Sequence, residues 1–247
     1  MPRVFTSIPS LREPPRLSPR DFWLVLAPLA AWAGIFHLRE EVIRPRCSDA
    51  PQLCHPDSIL LPADRAAVLL QSSRADTLSF TTQYLAGIFA LLVPMIWVLA
   101  RRHRTEAGEG SVVRDLATDF VLFLQVSIWN GLFTEAIRLL VQRPRPFVYA
   151  DPARLGADAS HYTSFISGHT SFSAAAATWM VLAVLGRGAG ARTLAPLMLA
   201  GAMLVFLTGL FRVLAGRHFF TDVLAAAMVG AAVALGVRLA HPPRPVL

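Results

Sequence analysis

The 247-residue sequence alternates long apolar blocks with short polar ones, and this alternation constrains its fold more than any other feature. Six blocks stand out: Phe22–Leu38, Leu78–Ala100, Leu116–Leu140, Gly168–Leu185, Thr193–Phe211 and Phe220–Leu239. Each is about 17–25 residues, enough to cross a hydrocarbon core of about 30 Å. Composition agrees: 54% of residues are hydrophobic, 16% are charged and the mean hydropathy is +0.50. These values exclude a disordered chain and argue against an ordinary soluble domain. The reading is an all-α polytopic membrane protein with six transmembrane helices. Residues 1–21 form a Pro/Arg-rich leader, 22–240 a single membrane domain with a long polar loop at 39–77, and 241–247 a short tail. The first block exceeds a signal peptide's apolar region of about 7–15 residues, so an uncleaved anchor is expected.

The chain contains 23 arginines and no lysine against 16 acidic residues, a net charge of +7. No basic stripe interleaved with aromatics appears, which argues against nucleic acid as a partner. Most arginines sit at block ends, where they anchor in lipid headgroups; Arg143, Arg154 and Arg217 are read this way too. The leader (Arg3, Arg12, Arg16, Arg20) and the Arg101-Arg102-His103-Arg104 cluster place both termini in the cytoplasm. Cys47 and Cys54, with six residues between them, are too few for a metal site; a disulfide is possible in an oxidising compartment. Ile59–Leu70 is too short to span and reads either as an interfacial segment or as a plain loop helix.

Ionisable residues inside or beside apolar blocks are costly and therefore informative. Three clusters contain them: Glu135, Arg138, Arg143 and Arg145 after block three; Ser167-Gly168-His169 at the start of block four; and Arg212, Arg217, His218 and Asp222 between blocks five and six. In a six-span chain the ends of spans one, three and five emerge on one side, so the three clusters share a membrane face. Guanidinium forks match phosphate oxygens bidentately and neutralise charge developing on them. The Ser-Gly pair ahead of a helix adds backbone N–H groups at the positive end of a helix dipole. Of two histidines, one can attack phosphorus while the other protonates the leaving oxygen. His218 and Asp222, four apart on a helix entry, share a face, so Asp222 is expected to accept from one ring nitrogen of His218. Glu135 reads either as an orienter of Arg138 or as its structural i,i+3 partner. One carboxylate among three arginines makes a poor cage for Mg²⁺ or Zn²⁺, so no metal or other cofactor is expected.

The pattern Arg138-x6-Arg145-Pro146, Ser167-Gly168-His169, Arg212-x5-His218-x3-Asp222 resembles the three-part phosphatase signature of the type-2 phosphatidic acid phosphatase (PAP2) superfamily, over about residues 116–239. It departs from that signature in three places: Arg138 stands for Lys, Ile166 for the Pro before the Ser, and Phe211 for the Ser before Arg212. None deletes a group the chemistry requires. The resemblance implies a PAP2-like helical core and a metal-independent lipid phosphatase. In it His218 is the nucleophile, Asp222 its orienter and His169 the general acid, while Arg138, Arg145, Ser167, Gly168 and Arg212 bind phosphate. It further implies a cell-envelope lipid phosphate as substrate, in a bacterial inner membrane with the site facing the periplasm. The candidates are undecaprenyl diphosphate, phosphatidylglycerol phosphate, phosphatidic acid and a lipid A phosphate. Transfer of the phosphoryl group to a lipid or sugar acceptor, and non-catalytic lipid or anion binding or transport, are the alternatives. Oligomeric state is not readable from the sequence.

Overall fold

The computed structural model describes residues 11, 14–59, 61–105 and 109–241. Among them the structure is helical, with no strand, and six helices are long and apolar enough to cross a membrane. These are α1 (Arg20–Val42), α3 (Ser73–Thr105), α4 (Glu109–Val141), α7 (Gly168–Leu185), α8 (Ala191–Leu214) and α9 (Phe220–Ala240). Three short helices, α2 (Pro62–Ala66), α5 (Pro146–Ala150) and α6 (Pro152–Leu155), lie in the loops. Most of the long helices overrun the expected spans. α3 and α4 reach 33 residues each, about 50 Å at 1.5 Å per residue, because helical hydrogen bonding continues into polar residues beyond the bilayer core.

α7 is the central element and packs against α9, α3, α8 and α4. Its first half buries small residues, Ser171, Ser173, Ala174, Ala175 and Ala176, and its second half buries Trp179 and Met180. Small side chains let neighbouring backbones approach closely, which drives helix packing where the surrounding solvent is itself apolar. At Gly230 of α9 the approach is so close that a Cβ would stand 2.0 Å from the Ser171 carbonyl oxygen. Leu122, Val126, Trp179 and Ala234 complete the core around α7.

α1 lies outside this core, against α4. Its polar anchor is Asp21, buried, which accepts from Gln125 Nε2 at 2.8 Å and faces His241 Nε2 at 2.6 Å. His241, to which the sequence assigned no role, thus ties the end of α9 to the start of α1. The remainder of the expected tail (242–247) and most of the leader fall outside the described residues.

The loop before α3 is ordered by the disulfide that the sequence left open and by buried polar contacts. Cys47 and Cys54 form a disulfide, and the Tyr162 hydroxyl accepts from the Cys47 and Arg46 amides while donating to the Gly156 carbonyl at 2.6 Å. Ile59–Leu70 contains α2 and a 3₁₀ turn at Ala67–Leu69. Its Asp64 is buried, accepting from the Thr221 hydroxyl at 2.6 Å and from Arg143 at 2.9 Å. These two partners hold the segment against the entry of α9.

Candidate active site

The three sequence clusters meet at one end of the bundle. α4 stops at Val141, Gln142 takes a positive φ of 46°, and the chain turns into Arg143-Pro144-Arg145-Pro146. Arg138, in the last turn of α4, donates from Nη1 to Glu135 at 2.6 Å and from Nε to the Ile166 carbonyl at 3.1 Å. This acceptor is a backbone carbonyl, which the signature's Pro would offer equally, so the replacement by Ile166 leaves the contact intact. Ser167 is the N-cap of α7, its hydroxyl accepting from the Thr170 amide at 3.4 Å. Gly168 follows, and a Cβ there would meet the Arg138 Nη2 at 3.0 Å, so the glycine lets the guanidinium lie close to the helix N-terminus.

Arg145 donates to the Thr163 hydroxyl at 3.0 Å. Arg212, at the end of α8 and buried, donates to Asp76 at 2.6 Å and Ser79 at 3.4 Å. The Nε of Arg145, the Nε of Arg212 and the Nε2 of His169 are buried with no hydrogen-bond partner among the described residues. Buried polar atoms are normally satisfied, so these three nitrogens, all on signature residues, keep hydrogen-bonding capacity that the described residues do not use. The His169 ring also packs edge-on against Phe80, centroids 4.4 Å apart.

His218 is buried, and its Nδ1 lies 2.7 Å from the Ser164 carbonyl oxygen. A carbonyl can only accept, so Nδ1 carries the proton and Nε2 keeps the lone pair. The expected Asp222 hydrogen bond is not formed: the carboxylate stands near the ring but 3.8 Å from Nδ1, and the Ser164 carbonyl takes the orienting position instead. Asp222 accepts from the Ser164 hydroxyl at 2.5 Å and from the Phe219 amide at 2.9 Å. It thereby pins the loop segment that carries the orienting carbonyl to the helix entry that follows His218. Burial, then the charges of Arg212, Arg145 and Arg138, push the His218 pKa well below its usual value, keeping the ring neutral.

Arg143 is not a lipid anchor. It donates to Asp222 at 2.7 Å, to the Thr221 hydroxyl at 2.7 Å and to Asp64 at 2.9 Å, with the Phe219 ring 3.9 Å below its carbon. Arg217 pairs with Asp76 at 3.0 Å while staying partly exposed, and Arg154 is exposed and pairs with Asp151. Glu135 pairs with Arg138 and lies 3.7 Å from Arg39. The sequence reading missed Asp64, Asp76, Ser164 and Phe80. Only the two acids gave a signal, each lying in or beside an apolar run, and no spacing rule connects Asp76 with an arginine 136 residues later. No group of three or more His, Cys, Asp or Glu side chains stands close enough to hold a metal among the described residues.

Six lipid-length helices around a polar site at one end define a multi-pass helical membrane protein. The chain belongs to the PAP2 superfamily, whose pattern matches residues 119–245, just over half of it. It is accordingly a membrane phosphatase of that family. Among solved structures it is similar to the first transmembrane PAP2-type phosphatidylglycerolphosphate phosphatase, from Bacillus subtilis. That likeness has 19% identity and a TM-score of 0.48, covering 90% of this chain and 95% of the other. No curated protein matches it.

Proposed function

We propose that the protein hydrolyses a phosphate group from a cell-envelope lipid through a phosphohistidine intermediate, without a metal. The observation that carries this reading is the fixed tautomer of His218 beside three arginines: Arg145 and Arg212 have unpartnered buried Nε–H groups, and Arg138 has its fork set against Gly168. The lipid phosphate seats on Arg138, Arg145, Arg212, Ser167 and the Gly168 amide, where fixed donors stabilise the charge that develops on its equatorial oxygens. His218 Nε2 attacks phosphorus and the P–O bond to the lipid breaks. The lipid oxygen leaves with the proton donated by a protonated His169. Neutral His169 then takes a proton from water, the water oxygen attacks phosphorus, and the P–N bond breaks to release inorganic phosphate and free His218.

The site faces the outer leaflet at the periplasmic side of the inner membrane, with both termini cytoplasmic. The Cys47–Cys54 disulfide supports that orientation, because it lies in the loop beside the site and disulfides persist in oxidising compartments. The test is phosphate release by the purified protein across mono- and diphosphorylated lipids, with and without an alcohol acceptor. Release of inorganic phosphate from at least one lipid is expected. Folded protein that releases none would overturn the proposal, and phosphate recovered only on the acceptor would make the enzyme a phosphotransferase.

A further inference from the structure

Beside the phosphate arginines lies a cavity of about 860 Å³ that the three signature segments leave unexplained. It is lined by Asp76, Thr77 and Phe80 at the start of α3 and by Arg154, His161 and Arg217. The volume is that of a small-ligand site and far exceeds one phosphate. Two contacts join it to the active site. Asp76 holds Arg212 at 2.6 Å, and Phe80 packs on the His169 ring. Since His169 serves the leaving oxygen in the mechanism above, whatever hangs on that oxygen extends past Phe80 into this cavity.

Its wall chemistry discriminates between leaving groups. Both arginines already have acids: Arg217 donates to Asp76 at 3.0 Å and Arg154 to Asp151 at 2.7 Å. A second phosphate here would sit against the Asp76 carboxylate and would have to displace these pairs. A hydroxyl suits the wall better, because it donates to a carboxylate and accepts from a guanidinium at the same time. The Phe80 and Phe147 rings, which also line the cavity, offer apolar faces to the C–H surface of a glycerol or a sugar.

We propose that this cavity is the leaving-group subsite, that it takes a hydroxyl-bearing headgroup in preference to a second phosphate, and that Asp76 decides between them. The inference rests on the phosphohydrolase reading. The experiment compares kcat/KM of the purified full-length protein in micelles for two lipids. One is a diacyl lipid ending in a glycerol-linked phosphate monoester, the other a prenyl diphosphate. The glycerol-linked lipid is expected to be favoured at least about tenfold. Asp76→Asn should shrink that ratio at least about fivefold, mainly through KM, and Asp76→Glu should restore most of it. A diphosphate hydrolysed equally well or better, or an Asp76→Asn loss equal for both lipids, would overturn the subsite while leaving the phosphatase standing. Folded protein inactive on both would overturn the two together. Should Asp76→Asn fail to fold, competition on the wild type decides: glycerol 3-phosphate should inhibit more tightly than pyrophosphate, and the reverse order overturns the proposal.

Discussion

Asp222 has no exposed surface, and its oxygens accept from Arg143, the Ser164 hydroxyl and the Phe219 amide. Removing Arg143 would strand a buried carboxylate, at a cost of about 3 kcal/mol, the low end for a buried pair because Arg143 itself is partly exposed. Arg143→Met is therefore expected to lower the detergent-state melting temperature and to cut phosphate release at least tenfold; wild-type values for both would contradict its place under the site. His218→Ala should reduce release by about 10⁴-fold or more, as nucleophile removal does elsewhere, in protein that melts somewhat earlier, because a buried ring is lost, but still folds and elutes as the wild type does. Turnover at the wild-type rate would remove His218 from the nucleophile's role. Burial and the arginines depress the His218 pKa in the folded chain, so the unfolded chain binds its proton first as pH falls below about 6.5. Stability from this group is complete above that pH and is lost below it, by at most about 1.4 kcal/mol per pH unit. Melting of the wild type should therefore fall more steeply from pH 7 to 5 than melting of His218→Gln, and parallel slopes would show that the ring titrates normally.

At the scale of elements, α7 decides whether the site assembles. It carries Ser167, Gly168 and His169 at its start, and its small face receives α9, whose entry carries Asp222. Gly230→Ala would drive a methyl into the Ser171 carbonyl, and overpacking of this kind costs about 1–3 kcal/mol. The variant should melt earlier and lose activity although residue 230 lies two turns beyond Asp222; an unchanged melting temperature would mean the two helices can separate freely. The existence and order of the helices were legible, since a lipid-length apolar run has few other solutions. Their ends were not, because polar residues such as Ser73 and Thr105 extend α3 by hydrogen bonding that hydropathy does not register.

For the whole molecule, topology makes a checkable statement: single cysteines near His161 and near Arg102 should be labelled from opposite sides of the membrane, and same-side labelling would break the six-span arrangement. The six spans and the three signature segments could be read from the sequence because each depends on residues near one another in the chain. A span is a local run, and Arg212, His218 and Asp222 fall within a few residues at helical spacing. The roles of Arg143, Asp64, Ser164 and Asp76 could not be read. Each acts through partners between 54 and 157 residues away, and an isolated arginine at a helix end looks the same whether it snorkels into headgroups or turns inward to a carboxylate. The expected bond from Asp222 to His218 failed for the same reason: helical spacing puts two residues on one face, but the competing acceptor, the Ser164 carbonyl, arrives from another segment. Which polar groups pair in a low-dielectric interior is settled by the nearest satisfied geometry, and only the folded chain brings those candidates within reach.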